Sequence, residues 1–516
     1  MAERVDAVVV GGGLGGLAAA VTLVGQGRRT VVLEQHTLPG GYASSFQRGP
    51  YRFDTALHAL NGLSPGGGVD RLYRDLGIWD RLRLHRLDPL YILRGGGHQV
   101  VAHADPYQYE AELVRCFPEE ATGIRTYLDE THAVYRDTRR LEVDQATGRS
   151  PSLQELTTRY PNLVQVSGET WDQMMSRHVE DPQARSALGA LWGYVGLPPS
   201  QCAALVGAVA TASYHEHGGW YPAGGAQALS GALVRVLRER GGEIRYGQLV
   251  TGFDIHGDHA VAVTTHEGLR LEADVFISNA SAPTTMLDLV GRGRLEEEYV
   301  DRIERPAPSY TTFAVYLGLD RDLVAERGLG HELFLDPALD ADGAWRASQR
   351  GDWARTALSV ADYTRVDPGC APVGHAVVVL TSVAPWDYQD VWGTNGNLVD
   401  YHQNPRYLEL KERAADVLVA RAAEVVPGLV EAIRHREAST PLTNFHYTRN
   451  PRGAIEGYEN SPLNSGLGWL PQQTPVTNLL LAGAWTSGGG MNAAMASGRS
   501  AARRVLQGAP PVRAGT

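Results

Sequence analysis

The sequence predicts an α/β protein. One domain is assembled from three separated stretches of chain, and a mixed α+β domain with a helical part is built from the stretches between them. Three observations carry this reading. The first 35 residues read as strand, tight turn, helix and strand. A turn, an amphipathic helix and further strands recur across residues 218–283. Near residue 480 an apolar run, a glycine turn and a small-residue helix restore the same style. Alternation of short apolar strands with helices is the mark of a parallel sheet covered on its faces. The expected boundaries are 1–70, 216–305 and 446–516 for the first domain, and 71–215 and 306–445 for the second.

Val5–Val10 is a short β-branched run of the kind buried in a parallel sheet. Leu14–Gly25 is rich in alanine and leucine and forms the following helix, and residues 29–35 (RTVVLEQ) form the next strand. Helical patterns dominate residues 70–215, in RLYRDLGIWDRL, YEAELVRCF and the stretch Thr170–Leu191. An amphipathic helix and a strand follow GGWYPAGGAQAL, two strands flank the HGD turn at 256–258, and LEADVFISNASAP closes that unit. Residues 310–319 and 375–383 are strands of a second region, with a helix around 406–426.

Composition narrows the function. The net charge is −11 with no run of five or six like charges, which argues against the basic face a nucleic-acid partner needs. The three cysteines, Cys116, Cys202 and Cys370, form no C-x-x-C pair, which excludes a common zinc cluster and a dithiol redox pair. No uninterrupted apolar stretch is long enough to span a bilayer, and MAERVDAVVVGGG runs directly into a folded motif and not into a leader-like segment. The expected location is cytoplasmic, with room for peripheral contact with a membrane.

Gly11, Gly13 and Gly16 stand at G-x-G-x-x-G spacing between a strand and a helix. The first glycine permits the turn, the second lets backbone approach a pyrophosphate, and the third packs helix on strand, as in a Rossmann-type domain. Glu34 closes the second strand, 18 residues beyond Gly16, where a carboxylate accepts hydrogen bonds from ribose hydroxyls. Gly40 and Gly41 follow six and seven residues after that acid. An NAD enzyme has no use for a further glycine pair there, whereas the longer FAD runs past that point. No second fingerprint exists for a separate nicotinamide domain.

These blocks, with FDTALHAL (53–60), WYPAGGAQAL (220–229), ISNAS (277–281), FAVYLGL (313–319), PRGAIEGYE (451–459) and LAGAWTSGGGMNAAMASG (481–498), resemble the flavin amine oxidase superfamily. Within it they are most similar to the branch of phytoene desaturases, carotenoid cis–trans isomerases and retinol saturases. The resemblance implies a glutathione reductase-like, amine oxidase-like FAD domain and non-covalent FAD. The ADP half would contact Gly11, Gly13, Leu14, Gly15, Gly16, Glu34 and Gln35, with Val250 and Ala280 close by. Gly40, Gly41 and Tyr42 would follow the pyrophosphate and ribityl chain. Tyr42 stands where many relatives carry arginine. Leu57 and His58 would approach the isoalloxazine, as would Gly483, Ala484, Gly490, Met491 and Asn492.

The glycine turn at 488–490 offers a helix N-terminus to the ring edge that gathers negative charge on reduction. Lys411, the only lysine, sits in a surface-type amphipathic helix, which weakens an amine oxidase reading. Polyene chemistry calls for an apolar tunnel, for which Trp171, Trp192, Tyr194, Trp220, Tyr221, Phe313, Tyr316, Trp386, Phe445 and Trp469 are candidates. His58, His215 and Tyr221 are the candidate catalytic side chains, with Asp54 and Glu216 as further proton acceptors. His215 and His217 lie at i, i+2 spacing on one face of an expected strand with no third ligand, so no metal site is expected.

The expected activity is desaturation of a lipophilic polyene or isoprenoid-like substrate by hydride transfer to the flavin, with oxygen or a quinone as acceptor. A redox-neutral isomerase or a saturase is the nearest alternative, followed by an amine oxidase. A non-catalytic prenyl-binding protein of the same fold has no need of both glycine loops and Glu34.

Overall fold

The computed structural model describes residues 3–146 and 151–508. Its first sheet has seven strands. Glu3–Val10 lies at the centre, parallel to Thr30–Leu33 on one side and to Arg270–Ser278 on the other. Glu243–Arg245 extends the sheet beyond Thr30–Leu33, and Leu479–Leu481 pairs with the end of Arg270–Ser278. The antiparallel pair Val250–His256 and His259–Thr265 completes it. Val10, Leu33, Ser278 and Leu481 finish in register, so four parallel strands deliver their next residues to one edge. Ligands of open α/β sheets bind outside such an edge.

The helix Leu14–Val24 is buried along nearly its whole length and packs against the helix Met491–Leu506. Small residues set that separation. A Cβ on Gly498 would lie 1.8 Å from the Gly15 carbonyl oxygen, and one on Gly16 would lie 2.1 Å from the Gly11 carbonyl oxygen.

The second sheet also has seven strands, in the order Ile433–Ser439, Thr311–Leu319, Ala376–Ala384, Leu358–Asp362, Glu332–Leu335, Tyr91–Gly95 and His98–Ala102. Alternation along Thr311–Leu319 divides its faces. Phe313, Val315, Leu317 and Leu319 pack with the helix Pro405–Val425, while Ala314 and Tyr316 join the core shared with the first sheet. Each such side chain, fully buried, stabilises the fold by about 1.5–3 kcal/mol.

Two expectations are corrected here. Residues 71–215 are not uniformly helical: Leu84–Leu87, Tyr91–Gly95 and His98–Ala102 are strands, and the last two are a hairpin that extends the second sheet. The glycines at 95–97 between two β-rich runs were its sequence signal. His215 and His217 are not on a strand. They end the helix Ala204–His217, which Gly218 stops at φ +72°.

The close approach of the two helices gives a test. Gly498→Ala should lower stability by about 1–3 kcal/mol through overpacking. Gly293→Ala, where a Cβ meets nothing within 4 Å, should be neutral. Urea midpoints of the two variants against the parent measure the difference.

Candidate active site

At the shared strand edge the backbone runs unusually close to one side chain. Asn279 follows Ser278, and Cβ atoms placed on Gly13, Gly15 or Gly483 would fall 2.6, 2.3 and 2.5 Å from its amide. The glycine loop after Val10 and the one after Leu481 therefore meet at Asn279. Glu34 is 6% exposed. Its Oε2 accepts from the Gly12 N–H at 2.6 Å and its Oε1 from the His36 N–H at 2.8 Å, which fixes the carboxylate against the first loop. The Gly40 N–H donates to the Gly12 carbonyl at 2.8 Å, so the second glycine pair lies alongside the first. Gly40 and Gly41 take φ of +120° and +59°, a conformation that suits glycine. The Tyr42 phenol donates towards the Gly453 and Ala454 carbonyls, each at 3.2 Å.

These loops border a cavity of about 2080 Å³. Single-ligand pockets run to roughly 300–1,000 Å³, so this one has room for an extended dinucleotide and a second molecule. Gly11, Gly13, Leu14, Gly15, Glu34 and Gln35 line one end, with Val250 and Ala280 beside them. Gly40, Gly41, Tyr42, Leu57 and His58 line the middle. Gly483, Ala484, Gly490, Met491 and Asn492 lie along the same space. Gly16 does not face it; it packs beneath Gly11. A bare cradle of glycine backbone, a fixed carboxylate and an open length of this size fit a flavin dinucleotide.

The helix Met491–Leu506 begins at Gly490, at φ +101°, without a side-chain cap. Its first N–H groups are left for whatever lies in the cavity. Asn492 is not free to bind a ligand through its amide. Its Nδ2 donates to the Asn61 carbonyl at 2.9 Å, and its Oδ1 accepts from the Tyr73 hydroxyl at 2.9 Å.

His58 is held from the second sheet. Its Nδ1 lies 3.0 Å from Glu332 Oε2, and Ser359 donates to the other oxygen of Glu332. His331 Nε2 approaches the His58 carbonyl at 2.9 Å. Burial works against both charges of the pair, and each partner's opposite charge outweighs it. His58 is raised above its ordinary 6.5 and Glu332 is lowered below 4.5. The two residues are 274 apart in sequence, so no spacing in the chain pointed to Glu332.

The other candidate catalytic residues lie outside the cavity. His215 stacks on Tyr109 at 4.2 Å, and burial, with His132 nearby, pushes it down to about 3, so it is neutral at ordinary pH. Tyr221 is 2% exposed and donates to Asp54. Asp54 also accepts from the Ser45 hydroxyl and from the Ala226 N–H at 3.0 Å, which ties the start of the helix Ala226–Glu239 to the strand Tyr51–Asp54. Glu216 pairs with His132 at 2.9 Å. Among the described residues no group of three or more His, Cys, Asp or Glu is placed to hold a metal.

The expected aromatic tunnel is also corrected. Only Tyr194 and Trp469 of the ten candidates face the large cavity, and Trp192 lines a small space beside it. Trp171 is buried with its indole N–H donating to Tyr127 at 2.7 Å, and Phe313 stacks on Trp392 at 5.7 Å. The remaining wall is mixed: aliphatic side chains share it with Arg71, Arg139, Glu142, Glu169 and Arg499. Leu141, Leu156, Leu163, Val166, Val206 and Val209 extend the cavity between the helices of the 121–217 region. Large aromatics fill cores as readily as they line tunnels, and sequence alone does not separate the two uses.

Removing one partner of the buried His58–Glu332 pair isolates a charge. Glu332→Gln should destabilise the protein by about 3–5 kcal/mol. A raised His58 stabilises fully below 6.5 and loses its contribution as pH rises through its folded value; a lowered Glu332 contributes above 4.5 and loses it as pH falls. The gap in Tm between parent and variant should be widest between those two values and shrink in alkali. Thermal melts across pH check this.

Comparison with known proteins agrees with this geometry. The chain is 26% identical over 500 residues to prolycopene isomerase 1 of an Oncidium hybrid cultivar, covering 92% of this chain and 79% of that protein. It is 26% identical over 529 residues to the lycopene-forming phytoene desaturase of Pseudescherichia vulneris, covering 97% and 99%. In fold it is similar to the structure of putrescine oxidase bound to putrescine, with a TM-score of 0.65, 14% identity and coverage of 98% and 100%. The model of the flavin containing amine oxidoreductase family matches residues 14–506, and the chain belongs to that family as a flavin-dependent oxidoreductase.

Proposed function

We propose that this protein holds FAD non-covalently and desaturates a lipophilic polyene or isoprenoid-like molecule. The observation that carries the reading is the continuity of the glycine-lined cavity with an arm to which Leu141, Leu156, Leu163, Val166, Val206 and Val209 give a run of aliphatic surface. Apolar surface leaving water for such an arm contributes about 25 cal/mol per Å². A hydrocarbon therefore needs no charged handle to bind. Val143 and Val164, on the arm's wall, are 48% and 41% exposed, which suits entry from a membrane by peripheral contact. Among the described residues no helix is long and apolar enough to cross a membrane.

Residues 1–70, 216–305 and 446–516 hold the cofactor in this reading, and 71–215 with 306–445 enclose the substrate. Glu34 accepts hydrogen bonds from the ribose, the glycine backbone lies along the pyrophosphate, and the N-terminus of Met491–Leu506 faces the ring edge that gathers charge. When bound, the flavin supplies a hydride acceptor whose electrons go on to oxygen or a quinone. His58 shapes the wall beside the ring. No cysteine lines the cavity among the described residues, which supports a non-covalent cofactor. Lys411 sits on the helix Pro405–Val425, 5.8 Å from the Tyr407 ring and outside the cavity, which speaks against amine chemistry based on a lysine.

Similarity to a protein named as an isomerase favours a redox-neutral reaction as the second reading, with saturation as a third. Protein reconstituted with FAD and supplied with apolar polyenes under air or quinone should bleach the flavin and yield products poorer in hydrogen. Turnover by pre-reduced protein without net electron uptake would replace desaturation by isomerisation. A colourless protein that never takes up FAD would end both readings.

Glu34→Ala should weaken FAD binding by more than about tenfold, since a charged hydrogen bond is worth roughly 1.5–3 kcal/mol. Quenching of flavin fluorescence on titration measures the change.

A further inference from the structure

The segment PRGAIEGYE contributes an acid that no pairing explains. The Glu456 N–H donates to Ser309 Oγ at 2.8 Å, and the neighbouring Ile455 N–H donates to the Tyr310 carbonyl at 3.1 Å, so the backbone is fixed. The carboxyl lines the large cavity. It lies flat against the glycine triplet: a Cβ on Gly489 would be 2.2 Å from Glu456 Cδ. That triplet leads into the helix Met491–Leu506, so the carboxyl stands beside the helix N-terminus that faces the cavity.

Nothing in the fold needs this acid. Its one side-chain hydrogen bond is a long 3.4 Å contact from Asn460 Nδ2, which donates at 3.0 Å to the Val195 carbonyl. Among the described residues it caps no helix and makes no ion pair. The titratable groups around it are Tyr214 from the helix Ala204–His217, Tyr310 before the strand Thr311–Leu319, and Cys202. All three are pushed upward, first by burial, and are neutral. Among the described residues no arginine or histidine pairs with the carboxyl. Burial pushes Glu456 up to about 8. A carboxyl walled by protein without a counter-charge costs stability, and a glutamine would avoid that cost. A carboxyl poised near the working pH on the face of a cavity is suited to moving protons.

We propose that Glu456 exchanges the proton with the substrate, taking it from the carbon next to the one that gives up hydride. This rests on the polyene reading above. In desaturation two C–H bonds on adjacent carbons break. One leaves with its electron pair to the oxidised flavin, the electron pair of the other closes the new double bond, and its proton passes to the Glu456 carboxylate. The reverse reaction returns the proton from the carboxylic acid as reduced flavin gives back hydride.

The test uses FAD-loaded protein with Glu456→Gln and Glu456→Asp. Infrared difference spectra across pH, without substrate, should show a carboxylic C=O band that disappears with a midpoint of about 8 and is missing in the glutamine variant. Flavin reduction by substrate in a single turnover should accelerate as pH rises through the same midpoint. Glu456→Gln should slow it by about 10²–10⁴-fold with little change in substrate affinity, and Glu456→Asp should restore part of the rate. A band that persists in Glu456→Gln, or a glutamine variant with the parent's rate and pH profile, would overturn the inference. If the parent reduces its flavin with no polyene while the band titrates as expected, the polyene reading fails and the protonated cavity carboxyl stands. Loss of the band with polyene turnover intact sinks Glu456 alone.

Discussion

The site depends on one steric constraint, the Asn279 side chain seated against three glycines at which any Cβ would overlap it. It touches the loop after the first strand and the loop after Leu481, and it follows directly on the strand between them. Side chains at Gly13, Gly15 or Gly483 would displace it and separate the two loops. With the loops held together, the carboxyl ends of four strands become one floor. The fixed carboxylate of Glu34 marks one end of that floor, and the uncapped start of Met491–Leu506 lies along it.

Charge is distributed sparingly over this floor. The dinucleotide-like end has a carboxylate held by two backbone N–H groups, and the far end has a helix N-terminus with no ionisable cap. Between them His58 is tied to Glu332, and Glu456 stands without a counter-ion. Leu156, Leu163 and Val206 line the outer arm, where Arg139, Glu142 and Glu169 also stand. Burial away from water strengthens the charges of the floor and makes their placement decisive.

The parts of the site legible in sequence were those set by local spacing. Gly11, Gly13 and Glu34 work through a turn and the end of the next strand, distances the chain itself dictates. The strand, helix and turn order around them followed from apolar periodicity. Asn279 stood in a recognisable block, but its role depends on glycines from both ends of the chain. Glu332 was invisible because its partner comes from another sheet. The hairpin at 91–102 was passed over because its strands are short, although its glycines announced it. His215 and Tyr221 misled for a plain reason: polar and aromatic groups near a motif are as often internal braces as reactants. The aromatic lining was misassigned because leucine and valine supply much of the cavity's apolar wall, and nothing in a sequence separates such residues from ordinary core.

The packing of Leu14–Val24 on Met491–Leu506 bears on how the molecule is made. The first glycine loop is made well before Asn279, Gly483 and Gly498, which pack against it, since N-terminal parts emerge first. Until they arrive, the early strand and helix have an open flank and no second loop to close against. Contacts between segments so far apart in the chain slow folding. The packing around Asn279 is therefore completed only after residues 483–498 are made.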